Sequence, residues 1–221
     1  SGVNTFSRGF GIFLRSMVLT VYIMTLGMMR MRFMKKLFLT IISVLVISAG
    51  SVDAGNVTSE TYGTLSTGET VTLWRLQNDA GAVVELIDYG SRIVKICMPD
   101  KNGVIDDVVV GYGSLESFET GDRYFGPVIG RFGNRIDHAS FELDGIRYDL
   151  VANENLGGEP VLCHGGVKGF DKFVWKGESL KEEGRVGVRF YRLSPDGEQG
   201  FPGNMHAFVT YWLSDDNVVK I

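Results

Sequence analysis

The sequence contains only two cysteines, Cys97 and Cys163, and only three histidines in 221 residues. Two cysteines cannot form the set of disulfides that stabilises small exported domains. The cysteines and histidines also lack the close spacing that structural metal sites require. We therefore expect two small thiols, buried or half-buried, and no bound metal.

Basic residues are scarce beyond the first quarter of the chain. Residues 1–54 hold six of the 22 lysines and arginines but only one of the 26 acidic residues, so the remainder carries a net charge of −9. A nucleic-acid-binding surface needs clustered positive charge to neutralise phosphates. The acidic body argues against a nucleic-acid partner and suits a small neutral ligand.

Long apolar runs are confined to the N-terminal region. Residues 37–49 (LFLTIISVLVISA) follow Met-Lys-Lys at 34–36 and precede Val-Asp-Ala at 52–54. A basic start, a short apolar run and small residues before a cleavage point are typical of a secretory signal peptide. A membrane anchor is the weaker interpretation, because spanning a bilayer takes about 20 apolar residues. We assign residues 31–54 to a signal peptide and expect export to the periplasm or extracellular space, with no stable membrane anchor after cleavage.

A second apolar run, residues 17–29 (MVLTVYIMTLGMM), lies upstream of Met31 and Met34, either of which would be a natural start. We interpret residues 1–30 as non-native upstream sequence, with an unusually long leader as the alternative. Both interpretations leave residues 55–221 as the folded part.

That folded part lacks any amphipathic stretch of helical length, and its apolar residues alternate with a period of two, as in half-buried strands. Turn sequences such as 78–81 (NDAG) and 144–145 (DG) separate consecutive runs, as in antiparallel hairpins. The pattern predicts an all-β sandwich or barrel-like sheet. Strands are predicted at 70–76, 82–87, 92–98, 104–110, 140–143, 147–150, 173–176, 185–193 and 205–213, with one helical turn at 114–119.

A further strand opens at residue 218 and is unfinished at Ile221. An unfinished strand leaves an open sheet edge, which natural proteins usually cover or charge. We therefore expect residues 55–221 to be the N-terminal part of a β-sandwich domain that is truncated at its C-terminus.

His164 is the first residue suited to chemistry, and it lies in the segment LCHGG at 162–166. Two glycines after a histidine allow backbone to approach a ligand closely, and an imidazole can donate or accept a hydrogen bond near neutral pH. The alternative is a loop histidine held by a local hydrogen bond.

The segment GRFGNRI at 130–136 contributes Asn134 and Arg135. Together these side chains supply several hydrogen-bond donors, which suits a polyhydroxylated ligand. If the segment is a strand, Arg131, Gly133 and Arg135 share one face. The alternative is a solvated edge with two arginines.

A third segment, SPDGEQGFPG at 194–203, contains two carboxylates, Asp196 and Glu198. Either could be catalytic, but acids in a loop rich in glycine and proline more often cap turns or face solvent. We interpret His138, at a turn, and His206, in a predicted strand, as structural or exposed.

In their order and wording, GRFGNRI, CHGGVKGFDKFVW (163–175) and SPDGEQGFPGNM (194–205) resemble the first half of the aldose 1-epimerase, or galactose mutarotase, family. The stretches at 85–103 and 106–118 resemble that family's opening strands. The resemblance covers residues 60–221. It implies a galactose mutarotase-like β-supersandwich that interconverts the α and β anomers of free hexoses such as galactose and glucose.

The resemblance also implies a mechanism without a metal or organic cofactor. A carboxylate acts as base on the anomeric hydroxyl and a histidine acts as acid on the ring oxygen. Asn134 and Arg135 match the family's sugar-binding Asn-Arg pair. His164 matches its sugar-contacting histidine, so we count it as substrate-binding and as catalytic in assisting the acid.

The family's acid histidine belongs to an NHSYFNL-like motif that these 221 residues do not contain, and its sugar-binding Asp and its Glu base have no match either. We therefore expect this chain alone to bind sugar weakly and to epimerise little or not at all. Two rival functions stay open. A hexose-6-phosphate 1-epimerase would need more basic residues for the phosphate, and a non-catalytic carbohydrate-binding β-sandwich would share the fold without the reaction.

Overall fold

The computed structural model of the protein describes residues 55–121 and 123–221. The predicted upstream segment, residues 1–30, and the predicted signal peptide, residues 31–54, lie outside these residues. In the described part, no helix is long and apolar enough to cross a membrane.

The first half of the fold is a five-stranded antiparallel sheet in which consecutive strands are neighbours. Short turns join the strands, so each one pairs with the strand before it in the sequence. A single-turn helix follows, and the Ser114 side chain caps it by accepting a hydrogen bond from the Ser117 amide. These elements are β1 (Asn56–Thr64), β2 (Thr70–Gln77), β3 (Val83–Ile87), β4 (Arg92–Pro99), β5 (Ile105–Asp107) and α1 (Leu115–Thr120).

Short strands form the middle of the fold. A three-stranded sheet has the order β6-β10-β9, and a separate hairpin pairs β7 with β8 around the predicted Asp-Gly turn. These strands are β6 (Arg135–Ile136), β7 (Ser140–Leu143), β8 (Ile146–Asp149), β9 (Glu154–Leu156) and β10 (Glu159–Cys163). Short 3-10 turns lie at Asp137–Ala139 and Phe170–Lys172.

The last part is a four-stranded antiparallel sheet with strands in sequence order. Its strands are β11 (Lys176–Glu182), β12 (Arg185–Ser194), β13 (Met205–Ser214) and β14 (Val219–Lys220), with a 3-10 turn at Glu198–Gly200 between β12 and β13. Its alternating residues pack against the five-stranded sheet, and this contact is the main core: Leu76, Val84, Leu86, Val186, Val188, Phe190, Tyr211 and Leu213 are all fully or almost fully buried.

The five-stranded sheet is covered on its other face as well. Phe118 of α1 packs there against Val71 and Ile87. On the core face, the ring of Trp74 fills the space above Gly177, where a Cβ atom would lie 2.5 Å from the indole. A third cluster of Ala139, Leu162 and Phe201 lies beneath the three-stranded sheet and supports the loops described below.

The structure confirms the all-β prediction and most of the predicted strands to within one or two residues. The predicted strand 104–110 is shorter in the structure: residues Ile105–Asp107 are paired with β4, and a last backbone bond runs from the Val108 amide to the Ile96 carbonyl at 2.9 Å. There the Asp107 carboxylate accepts hydrogen bonds from the amides of Ile96 and Val109, at 3.1 and 3.0 Å. The side chain thus takes the place of a strand partner, and the backbone leaves the sheet.

The predicted strand 173–176 is confirmed only in part. Val174 forms an isolated antiparallel bridge with Tyr89, and β11 begins only at Lys176. Residues 173–175 are apolar because they cross the core: Trp175 is 2% exposed, and its indole donates to the Phe170 carbonyl at 3.0 Å. Strands β1, β9 and β10 were not predicted, nor was β11 beyond its first residue, and β6 was considered only as part of a possible strand at 130–136. Two of them, β1 and β9, have no fully buried residue and therefore no clear apolar alternation.

Candidate functional site

The two sequence segments that carry the predicted site residues meet at one end of the small β6-β10-β9 sheet. Arg135 on β6 is paired with Cys163 on β10, so Asn134 and His164 come together just beyond the pairing. The His164 amide donates to the Asn134 carbonyl, and the Asn134 amide donates to Nδ1 of the His164 ring, both at 3.0 Å. The structure therefore brings all three predicted site residues together.

The hydrogen bond to Nδ1 determines how the His164 ring can act. A neutral imidazole has one nitrogen that accepts and one that donates. Because Nδ1 accepts from the Asn134 amide, the neutral ring carries its proton on Nε2. The half-buried His164 therefore offers an N–H donor from its free side.

The glycines after His164 are needed because other parts of the chain pack closely against them. His164 has a φ of 51°, and Gly165 and Gly166 continue with 90° and 98°, values that favour glycine. A Cβ atom on Gly165 would lie 1.7 Å from the Gly130 carbonyl oxygen. The close approach expected from the sequence is thus made to the backbone of the segment that carries Asn134, and it holds the two loops together.

The guanidinium of Arg135 is held by neighbouring oxygens. Its Nε donates to Glu154 Oε2 at 2.7 Å, its Nη2 lies 2.7 Å from the same oxygen, and its Nη1 donates to Asn134 Oδ1 at 3.2 Å. The Asn153 side chain next to Glu154 bonds both the amide and the carbonyl of Cys163, at 2.6 and 3.0 Å. This asparagine acts as an extra strand partner and holds the backbone immediately before His164.

Glu154 and Cys163 influence each other's ionisation. A hydrogen bond from the Cys163 thiol, followed by the bond from Arg135, lowers the pKa of Glu154 below its usual value. Burial, followed by the hydrogen bond to Glu154, raises the pKa of the Cys163 thiol. The thiol therefore stays protonated beside a charged carboxylate.

Tyr124 adds an aromatic wall to the site. Its ring centroid lies 4.5 Å from that of His164, with the planes tilted by 60°. Burial, and then the charge of Asp171, raises the pKa of the Tyr124 phenol, so the hydroxyl stays protonated. The phenol is 39% exposed, so it is open to a ligand at the histidine.

Arg131 does not share a face with Arg135, because residues 131–134 form bends and β6 begins only at Arg135. Its guanidinium instead donates to the Ser194 hydroxyl at 2.7 Å and to the carbonyls of Ser194, Pro195 and Pro202 at 2.7–2.9 Å. The strand alternation considered for this segment is therefore wrong, and Arg131 fastens the 194–203 loop.

The carboxylates of that loop also have structural partners. Glu198 accepts two hydrogen bonds from Arg192, at 2.6 and 3.0 Å, and another from the Ser194 hydroxyl. Asp196 accepts from the Gly203 amide, which closes a turn. These contacts favour the capping and structural interpretation of both acids over a catalytic one.

The other two histidines contact residues outside the predicted site. His206 stacks on Tyr191, its Nδ1 is 3.0 Å from the tyrosine hydroxyl, and it is on the exposed face of β13. His138 is exposed beside Asp137 and Glu159. Within the described ranges, no three His, Cys, Asp or Glu side chains converge as metal ligands would.

The site therefore combines donors from an imidazole, an amide and a guanidinium beside one aromatic ring. Such a group can bind several oxygens of one small polar ligand. Sequence reasoning missed Tyr124, Asn153 and Glu154. Nothing in their local sequence signals a function, because each reaches the site only through the pairing of β6, β10 and β9 or through a distant loop.

Comparisons with known proteins agree with the resemblance in the motifs. The family described as "Aldose 1-epimerase" matches residues 72–221. Human galactose mutarotase is 41% identical over 164 residues, which are 74% of this chain and 45% of that protein. Aldose 1-epimerase of Escherichia coli K12 is 34% identical over 163 residues, again 74% and 45%. The chain thus spans about half the length of the curated relatives it matches.

Solved structures show the same fold. Galactose 1-epimerase from Lactobacillus acidophilus aligns with a TM-score of 0.62 at 22% identity, over 73% of this chain and 46% of that chain. An aldose epimerase homologue from C. elegans aligns with a TM-score of 0.54 at 28% identity, over 62% and 40%. The predicted β-sandwich of galactose mutarotase type is confirmed.

Proposed function

This chain belongs to the aldose 1-epimerase family, and on that basis we propose that it acts in interconverting the α and β anomers of free hexoses such as galactose and glucose. In this reaction the anomeric hydroxyl loses its proton while the ring oxygen gains one, and the bond between C1 and the ring oxygen breaks. Rotation about C1–C2 and reclosure give the other anomer. Asn134, Arg135 and His164 bind the sugar in this proposal.

The convergence of these three residues carries the proposal. A hexose ring oxygen has no hydrogen and can only accept, so it needs a donor such as the Nε2–H of His164. The guanidinium of Arg135 suits two neighbouring hydroxyls, because it offers paired donors at fixed geometry. The Asn134 backbone holds the imidazole, so the ring and the guanidinium are oriented by one short segment.

Galactose titration of the full chain, followed by NMR, tests the sugar site. We expect weak binding that falls about tenfold in Arg135→Lys and in His164→Ala, because each change removes a hydrogen bond that a charged or aligned donor makes. Arg189→Lys is the matched control, since Arg189 forms a similar exposed pair with Glu178 on β11 and β12. Unchanged binding in both site variants, or equal loss in the control, would refute the assignment.

Catalysis is a separate question. We assign no residue of this chain to the acid or to the base, since Glu198 and Asp196 are engaged in structural contacts. We therefore propose that His164 assists by polarising the ring oxygen, and that this chain by itself leaves freshly dissolved α-galactose to mutarotate near the spontaneous rate. Polarimetry tests this, and a rate well above the spontaneous one would show that the acid and base are present after all.

Export is the third part of the proposal. The apolar run at 37–49, with lysines before it and small residues after it, supports cleavage near residue 54. We expect the mature protein in the periplasm or outside the cell, with an N-terminus near Gly55. Terminal sequencing of fractionated protein tests this, and intact chain in the cytoplasmic fraction alone would contradict it.

A further inference from the structure

We propose that Glu154 is a positioning residue that holds the guanidinium of Arg135 ready to receive sugar hydroxyls. This inference rests on the proposed function and extends it to a residue that carries no recognisable motif.

The β6-β10-β9 sheet places the two side chains on one face. Arg135 is paired with Cys163, and Glu154 is paired with Val161. Cys163 and Val161 are two residues apart on β10, so they point to the same side of the sheet. The sheet therefore carries the arginine, the thiol and the carboxylate together, although 19 residues separate Arg135 from Glu154.

The contacts leave part of the guanidinium free. Arginine has five N–H donors. Glu154 Oε2 engages Nε and Nη2, and Asn134 Oδ1 engages Nη1. One N–H on each terminal nitrogen therefore remains for a ligand. Glu154 fixes the guanidinium through Nε and Nη2, and this sets the plane in which both remaining donors lie.

The surroundings of Glu154 favour positioning over proton transfer. Its Oε2 already accepts a hydrogen bond from Arg135, and the neighbouring Cys163 thiol and Arg135 both favour the charged form of the carboxylate and lower its pKa. A carboxylate stabilised in this way is a weak base at neutral pH. It is suited to fixing a cation.

The pair contributes little to folding, so a positioning role can be separated from a structural one. Both side chains are partly open, with 42% of the Arg135 side chain and 37% of the Glu154 side chain exposed. Exposed ion pairs of this kind add little stability. Arg189 and Glu178 form a comparable cross-strand pair at 2.7 Å, with exposures of 44% and 59%, and so provide a control.

The first measurement needs no sugar. In the full chain labelled with ¹⁵N, the Nε–H signal of Arg135 is assigned by its loss in Arg135→Lys. We expect the chemical shift of this signal to differ from that of solvent-exposed arginines. It should move towards the solvent-exposed value in Glu154→Gln, and also in the wild type when acid protonates Glu154. In Glu178→Gln the Arg135 signal should stay in place, and the thermal midpoint should change little in all the glutamine variants.

The second measurement is a D-galactose titration of the same proteins. We expect Glu154→Gln to bind about two- to twelve-fold more weakly, the factor that corresponds to immobilising one long side chain on binding. Glu154→Asp should recover part of the loss, because it keeps the charge, and Glu178→Gln should bind as the wild type does.

The outcomes separate the two proposals. A shifted Arg135 signal together with weaker galactose binding in Glu154→Gln supports the inference. If the Arg135 signal does not change in Glu154→Gln, the inference is overturned. Unchanged galactose binding in that variant overturns it too. If the Arg135 signal responds but the wild type binds no galactose, the proposed sugar site fails, and the role of Glu154 towards a sugar fails with it.

Discussion

Replacing Gly165 by alanine should disrupt the contact between the two loops of the candidate site. The new Cβ atom would lie 1.7 Å from the Gly130 carbonyl oxygen and 3.0 Å from the Arg131 nitrogen. Both neighbours are backbone, so no flexible side chain can move aside. Either the His164 loop or the segment before Asn134 must shift, and the bond from the Asn134 amide to the His164 ring should be lost.

The structure separates two costs of this change. A φ of 90° is unfavourable for alanine by about 1–2 kcal/mol, whatever the space around it. Forcing an atom into filled space adds about 1–3 kcal/mol. Gly145 also has a positive φ, 74°, but nothing lies within 4 Å of its Cβ position. Gly145→Ala therefore carries only the first cost and serves as the matched control.

Thermal unfolding followed by circular dichroism measures the difference. Each kcal/mol corresponds to about 2–4 °C for a domain of this size. We expect Gly165→Ala to melt clearly below Gly145→Ala and to lose galactose binding, while Gly145→Ala keeps it. Equal melting temperatures for the two variants, with equal binding, would refute the argument that Gly165 is required by its contact with Gly130.

Two further predictions concern the core and the buried ion pair. Leu76→Ala should destabilise the protein by about 2–5 kcal/mol in urea unfolding, because Leu76 is fully buried between the two large sheets; a loss far below that would show that the core collapses around the missing side chain. Glu198→Ala should cost about 3–5 kcal/mol, because Arg192, only 6% exposed, loses its carboxylate. Burial raises the pKa of Glu198, but bonds from Arg192 and Ser194 outweigh it and leave the pKa below its usual value. The pair therefore stabilises the fold at neutral pH, and this stabilisation is lost as the pH falls through the lowered pKa of Glu198. The difference in melting temperature between the wild type and Glu198→Ala should therefore become smaller in acid. A difference that does not change with pH would contradict the assignment.

The strand pattern was predictable where alternation reflects burial on one face. Leu76 and Val84 are paired across β2 and β3 and point into the same core, so their spacing is visible in the sequence. The prediction at 173–176 was right only at the bridge between Val174 and Tyr89, because the apolar Trp175 reflects burial in the core and not a regular strand. Strands β1 and β9 were not predicted because they lie at sheet edges and their side chains are mostly exposed. Burial on one face therefore produces no alternation of apolar and polar residues in their sequences.

The candidate site was predictable only as far as its motifs extend. The sequence motifs that resemble a known family contain Asn134, Arg135 and His164, and the structure brings these residues together. Alternation would place Arg131 on the same face as Arg135, four residues later, if the segment were a strand. That grouping failed because the bends at 131–134 turn its side chain towards the 194–203 loop.

The sequence by itself determined the strand and turn pattern, the all-β class, the family and the three residues proposed to bind sugar. Only the tertiary structure decided that Glu154 and Tyr124 share that site, and that Glu198 neutralises a buried arginine. The physical reason is range. Alternation and turn chemistry act between residues close in the chain, whereas hydrogen bonds and ion pairs between side chains exist only after sheet pairing has brought distant segments within about 3 Å.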